Sequence, residues 1–292
     1  MNFYLKKNFL YVPIFGGLGN QMFQLAHALN ISNKTNSSLA LVDCTNSIGS
    51  IKRNWNLDCF GFEPSNISLI KKQFLKSLIK TSNLSFKLGF TKRFGVLNED
   101  HLINKNDYKI INKNVCIGYW QNESYFLDSM NDIKKRFYFD KKLFIPNFLK
   151  KNINKNTVAI HIRRGDYIAN NNTKNIHFVC DDNWYLNAFK LMRNLVSNPK
   201  FYIFSDDIKY AKELLNGYYD IDITFVPEDH RDWFHMYLMT FCKNFIISNS
   251  TYSWWGSFLA KEHPNKIICP KYWSRDKLTT SMGIYRKNFF LL

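Results

Sequence analysis

In the second half of the chain, short apolar runs alternate with amphipathic stretches at nearly even intervals. Residues 157–162 (TVAIHI) form an unbroken apolar, β-branched run, and a polar loop follows. A helical repeat covers residues 183–196, and the next apolar run, 201–204, closes on Ser205-Asp206-Asp207. From there the pattern predicts a helix to residue 216, a strand over 223–226 and a helix over 231–242. A strand over 245–247, a helix running to residue 261 and a strand over 267–269 complete the series. Short strands alternating with such helices predict right-handed βαβ units around a buried parallel sheet.

The first half opens in the same way, with a strand over residues 9–15, a turn Gly16-Gly17-Leu18-Gly19-Asn20 and a helix over 21–34. Pro13 lacks the N–H that a central ladder needs, so this strand is expected at a sheet edge or a bulge. Residues 74–88 look helical without evident caps, and 115–120 look like a strand. The Lys/Asn-rich run 150–156 is the expected linker. The predicted organisation is α/β: one α/β domain over 1–150 and a Rossmann-like domain over 151–292. Two such halves facing one another would hold a ligand in the cleft between them.

Composition changes little in this picture. With 292 residues, 46% hydrophobic and 17% aromatic, the chain has ample core-forming material, which excludes global disorder. The net charge of +17 favours polyanionic or phosphorylated partners, but Lys and Arg are scattered along the chain and select none. The six cysteines show no CxxC or CxxH spacing and read as reduced thiols. No apolar run reaches the roughly 18 residues of a membrane span, and no cleavage site follows residues 9–15. The sequence therefore reads as cytoplasmic, with room for peripheral contact with an acidic membrane surface.

Four stretches carry chemistry. His161-Ile-Arg-Arg-Gly-Asp-Tyr167 follows the clearest strand, so its side chains emerge where open α/β sheets bind ligands. Arg163 and Arg164 suit phosphate oxygens, and Gly165 eases the turn. Ser248-Asn-Ser-Thr-Tyr-Ser-Trp-Trp-Gly256 places Ser250, Thr251 and Ser253 at a strand-to-helix turn. Such a turn is either an anion site or an ordinary cap made by Ser253, with Trp254 and Trp255 as core. Asp207 reads as a helix cap, while Asp206 can accept from a guanine edge or serve as a cap itself. Gly16 to Gln21 has neither the GxGxxG spacing nor a P-loop lysine, so it is a turn that lets backbone approach an anion. Asp220 and Asp222 read as a turn, not a metal site, and Trp120 and Tyr125 read as core.

The stretches GGLGNQMFQLA (16–26), GYWQNESYF (118–126), HIRRGDY (161–167), FSDD (204–207), the run 236–260 containing SNSTYSWWG, and PKYW (270–273) occur in order along nearly the whole chain. Together they resemble the bacterial α-1,2-fucosyltransferase family, the galactoside 2-α-L-fucosyltransferases. Leu25 and His27 stand where that pattern leads one to expect aromatic residues. The resemblance implies a GT-B architecture and inverting, metal-independent transfer of L-fucose from GDP-fucose to O2 of a terminal galactose. It implies no cofactor beyond the donor, and a glycan or glycolipid acceptor of the O-antigen or lipopolysaccharide type.

By the same resemblance Arg163 holds the β-phosphate of GDP, and Gly19 and Asn20 face the pyrophosphate–fucose region. Ser250, Thr251 and Ser253 bind phosphate, and His161 and Asp206 contact the nucleotide. Asp166 is the expected general base or a support for Arg163, with Asp229 and Glu123 as alternatives. Three competing readings are a fucosyltransferase of another linkage, a non-catalytic nucleotide-sugar binder, and a nucleic-acid binder. The last has charge but no recognised motif.

Overall fold

The computed structural model describes residues 8–46, 52–81, 95–101, 114–140, 143–152, 156–165, 180–229, 231–261, 266–274 and 283–292. The chain divides into two compact units, Met1–Tyr138 and Phe139–Leu292.

In the N-terminal unit, β1 (Phe9–Ile14), β2 (Ser38–Asp43), β3 (Val96–Asn98) and β4 (Val115–Ile117) form a parallel sheet in the order β2-β1-β4-β3. The strand holding Pro13 is therefore central, not at the edge. Its tolerance has a local cause. Tyr11 donates its N–H to Asn114 on the β4 side, and the β1–β4 ladder consists of one bridge, Tyr11↔Val115. Pro13, two residues on, turns its missing donor to that same side, where no bridge is made. Toward β2 the ladder runs through all six positions, Phe9↔Ser38 to Ile14↔Asp43. The helix expected over 74–88 begins earlier, as α2 (Leu69–Lys80), because Ser68 caps it by accepting from the Lys71 N–H. The remainder of that expected helix lies outside the described residues.

Helix α1 (Leu18–Thr35) is buried almost all round from Leu18 to Ile31, so it carries polar residues that must be satisfied inside. Gln21, Gln24, His27 and Asn30 recur every three residues on it. Gln24 is 1% exposed and grips the Phe15 backbone twice: Oε1 accepts from its N–H at 3.0 Å and Nε2 donates to its carbonyl at 3.2 Å. Asn30 donates to the Tyr125 carbonyl at 2.8 Å and accepts from the Ser129 hydroxyl at 3.0 Å. Gln24→Leu would leave both Phe15 groups buried and unpaired. The expected loss is about 3 kcal/mol of unfolding free energy in urea titrations; a loss below about 1 kcal/mol would show that the Phe15 groups find other partners.

In the C-terminal unit, β5 (Thr157–Ile162) is buried at all six positions, which is why its sequence is apolar apart from Thr157 and His161. With β6 (Lys200–Ser205), β7 (Ile223–Phe225), β8 (Asn244–Ile246), β9 (Lys266–Cys269) and β10 (Phe289–Leu291) it forms a parallel sheet ordered β10-β9-β8-β5-β6-β7. This is the doubly wound Rossmann order: the chain runs outward from β5 through β6 and β7, then returns to the other side of β5 with β8. Helix α3 (Asp182–Leu195) covers one face with a stripe of Tyr185, Ala188, Phe189 and Met192, packed on Val158, Ile160 and Ile162. Asp181 caps it by accepting from the Trp184 N–H at 2.8 Å. Helix α4 (Ile208–Leu214) follows β6, α5 (Phe234–Met239) follows β7, and α6 (Thr251–Phe258) follows β8. Helix α5 is shorter than the predicted 231–242, since Arg231 is folded back onto Asp229 in the preceding turn.

Residues just before the expected boundary at 150 pack with this second unit. The Tyr237 hydroxyl donates to Leu143 and the Tyr202 hydroxyl donates to Phe148. All six cysteines are unpaired thiols, and Cys59 alone is not fully buried.

Candidate active site

The order of strands decides where a ligand can sit. In the C-terminal unit the winding reverses between β5 and β8, and the crevice beyond their carboxyl ends is where open α/β sheets take ligands. The two strongest motifs of the sequence leave β5 and β8 there.

They are joined directly. His161 Nδ1 lies 2.9 Å from the Ser248 hydroxyl, and its ring stacks on Tyr252 at 5.6 Å. Burial, with Arg163 and His235 adding to it, presses the His161 pKa down from 6.5 to about 3. At neutral pH it is an uncharged ring that ties the two loops together and supplies no cationic charge.

The adjacent arginines diverge. Arg163 Nη1 pairs with Asp206 Oδ2 at 2.8 Å, with side chains 23% and 25% exposed. Its backbone N–H donates to the Tyr185 hydroxyl at 3.1 Å, and burial raises the pKa of that tyrosine. Arg164 lies over the Tyr210 ring at 3.7 Å, with its Nε 3.8 Å from Asp207 Oδ2.

Asp206 organises the loop between them. Beyond Arg163, its carboxylate accepts from the Arg164 N–H at 2.9 Å and the Gly165 N–H at 3.2 Å. A Cβ on Gly165 would stand 3.0 Å from Asp206 Oδ2, so a larger residue there would have to push the carboxylate back by a few tenths of an ångström. Asp207 caps α4 by accepting from the Tyr210 N–H at 3.0 Å, as the sequence predicted.

Helix α6 begins on this rim. Its N-cap is Ser250, not Ser253, and the Ser250 side chain makes no capping bond; the first turn holds no acidic residue. Thr251 is the first helical residue, and Ser253 is fully buried with its hydroxyl donating back to the Ser250 carbonyl at 3.1 Å. Asn249 is buried and donates to the Trp273 carbonyl at 2.9 Å, which ties the PKYW stretch to the same place. Trp254 and Trp255 are core, both 0% exposed. A positive helix end, a tethered guanidinium and a neutral histidine thus share one rim, an arrangement suited to a dianionic phosphate.

The N-terminal unit has a rim of its own. There the winding reverses between β1 and β4, and the loops leaving those strands are GGLGN and GYWQN. The Gln121 side chain donates to Asn20 Oδ1 at 3.0 Å, bridging them. Gly19 is buried in the first turn of α1. Trp120 and Tyr125 are core as predicted, 1% and 9% exposed, and Trp120 stacks on His27 at 3.9 Å.

The structure therefore gathers His161, Arg163, Arg164, Asp206, Ser250 and Thr251 on one unit, and Gly19 with Asn20 on the other. Asp166 lies outside the described residues. Of its alternatives, Asp229 has both oxygens engaged by Arg231, at 2.8 and 2.7 Å, and Glu123 sits in a short 3-10 turn. Asp220 and Asp222 pair with Arg193 and Lys200. Among the described residues no group of three or more His, Cys, Asp or Glu could hold a metal, and no helix is long and apolar enough to cross a membrane. Sequence reasoning missed Tyr185 and Tyr210 and gave no role to Ser248 and Tyr252 within their motif; a tyrosine on a helix carries no mark that it also bonds a loop.

Comparison with known proteins bears on the reading. The family model described as Glycosyl transferase family 11 matches residues 5–292. An alpha-1,2-colitosyltransferase from Escherichia coli is 30% identical over 91% of this chain and 92% of its own length. The O-antigen biosynthesis glycosyltransferase WbnK, also from Escherichia coli, is 32% identical over 94% of this chain and 99% of its own. The NodZ alpha-1,6-fucosyltransferase structure soaked with GDP-fucose covers 89% of this chain and 97% of its own, at 12% identity and a TM-score of 0.49.

Proposed function

This chain belongs to glycosyl transferase family 11, and from that premise we propose that it moves L-fucose from GDP-β-L-fucose to O2 of a terminal galactose, with inversion and without a metal. One observation carries the donor reading: Arg163, held by Asp206, shares the winding reversal with the N-terminus of α6. Departure of GDP builds negative charge on the β-phosphate while the sugar becomes oxocarbenium-like. A fixed guanidinium and a helix N-terminus stabilise that charge where it develops, at no reorganisation cost.

His161 sets the Ser248–Ser250 turn, and Asp206 sets the arginine. In this reading the N-terminal unit carries the acceptor, Asp166 takes the acceptor proton, and the product belongs to an O-antigen type of glycan. The name of the colitosyl relative supports a second donor, since colitose is an analogue of fucose.

The test supplies lactose with GDP-fucose, or with the corresponding colitosyl donor, in excess EDTA, and reads the product linkage by NMR. Formation of 2′-fucosyllactose is expected. Colitosyl transfer alone would overturn the donor, another linkage would overturn O2, and activity only after a divalent cation is restored would overturn metal independence.

A further inference from the structure

The stretch GYWQN carries two aromatic rings and two carboxamides able to touch a sugar, and the structure separates the two rings. Trp120 is inside, stacked on His27, while Tyr119 beside it is 42% exposed. The chain achieves this with an abrupt turn. Gly118 has φ +151°, and a Cβ there would come within 2.5 Å of Glu99 Cβ. Trp120 takes φ +55°, a left-handed conformation that costs a bulky residue on the order of 1–3 kcal/mol.

Glu99 holds the turn against that cost. Its Oε2 accepts the N–H groups of both Tyr119 and Trp120, each at 2.7 Å. The Tyr119 ring is further fixed by Phe15, whose ring it meets at 5.0 Å and 69°. Phe15 is in turn gripped by Gln24. A partly exposed aromatic ring is thus held at the carboxyl end of β4 by a carboxylate, a glycine and a strained tryptophan. Two residues on, Gln121 and Asn20 bring two carboxamides to the same rim.

We propose that Tyr119, with Gln121 and Asn20, forms a pyranose-binding subsite for the acceptor glycan on the N-terminal unit. The ring packs on the apolar C–H face of a galactose, where the electron-rich face of the aromatic meets polarised hydrogens. The carboxamides, which both donate and accept, bond the hydroxyls around its edge. A fixed ring loses little freedom on binding, so its contribution to affinity is retained. This subsite rests on the reading that the N-terminal unit carries the acceptor, and it requires nothing about the donor.

Lactose binding to the full chain is measured directly by saturation-transfer NMR, without donor or turnover, for the wild type, Tyr119→Ala and Tyr119→Phe. GDP affinity is measured in parallel by calorimetry. Tyr119→Ala is expected to weaken lactose binding by roughly tenfold or more, with GDP affinity unchanged; Tyr119→Phe, which keeps the ring, stays within about threefold of the wild type. Equal lactose binding in wild type and Tyr119→Ala, no lactose signal in the wild type, or a Phe variant as impaired as the Ala variant would each overturn the subsite. A wrong donor assignment would show instead as absent transfer with these lactose contrasts intact.

Discussion

Arg163→Ala lowers turnover with donor and acceptor saturating by roughly 10²–10³-fold, the effect expected when one preorganised charge donor is removed from the leaving group. The fold should survive. The Arg163–Asp206 pair is about a quarter exposed, and Asp206 keeps the Arg164 and Gly165 N–H groups when the guanidinium is gone. A partly exposed pair contributes about 1 kcal/mol or less, so the urea midpoint should move little.

Arg163→Lys sharpens the result. A lysine restores the charge but not the planar fork that can hold Asp206 with one edge and phosphate with another, so most of the loss should persist. Asp206→Asn is predicted to act through the arginine: one carboxamide oxygen cannot accept all three of the bonds Asp206 now accepts. Its deficit should be smaller than that of Arg163→Ala, and the double variant should lose no more than Arg163→Ala alone, because both changes remove one device. Near-normal turnover in Arg163→Ala, measured alongside GDP affinity, would move the donor away from the β5–β8 rim.

The sequence made much of the C-terminal unit legible because β5, β6 and β8 are buried almost throughout and helix α3 is amphipathic, so the period changes visibly between them. Asp181 and Asp207 lie where N-caps belong, and both cap. The N-terminal unit was harder for physical reasons. Helix α1 was expected over 21–34 and runs over Leu18–Thr35, but its burial from Leu18 to Ile31 hid which of its polar residues face inward. Strand β4 was read over 115–120 and occupies only Val115–Ile117, while the three-residue β3 was too short to show a period. Pro13 argued for an edge because the sequence does not reveal that β4 leaves its side of β1 unpaired beyond Tyr11. The site was legible as residue types, yet roles within it were not. Asp206 was open between nucleotide contact and cap, and proved to be the brace of the arginine loop. Ser253 was open between binding phosphate and capping, and its fully buried hydroxyl bonds backward to the carbonyl of the true cap, Ser250.

Acid should unfold this protein early, and each unit holds a reason. His27 in the N-terminal unit and His161 in the C-terminal unit are both lowered by burial from 6.5 to about 3. Above pH 6.5 neither the folded nor the unfolded chain protonates them, so they add no pH dependence. Below it the unfolded chain binds a proton at each and the folded chain does not, so stability falls with falling pH until about pH 3. The slope is about 1.4 kcal/mol per pH unit for each histidine, roughly 2 kcal/mol at pH 5 for the unit that holds it. That is a sizeable share of the 5–15 kcal/mol that holds an ordinary fold.

His27→Phe isolates one contribution. The phenyl ring can keep the stack on Trp120, and the Tyr125 carbonyl keeps its 2.8 Å bond from Asn30 after losing the 3.4 Å one from His27. At pH 7.5 the variant should unfold within about 1 kcal/mol of the wild type, the value of the lost bond. Between pH 6.5 and 5 the transition reporting the N-terminal unit should lose about 1.4 kcal/mol per pH unit less than in the wild type. An unchanged slope in His27→Phe would mean that His27 titrates normally in the folded state, and that the packing of Trp120 against it admits water.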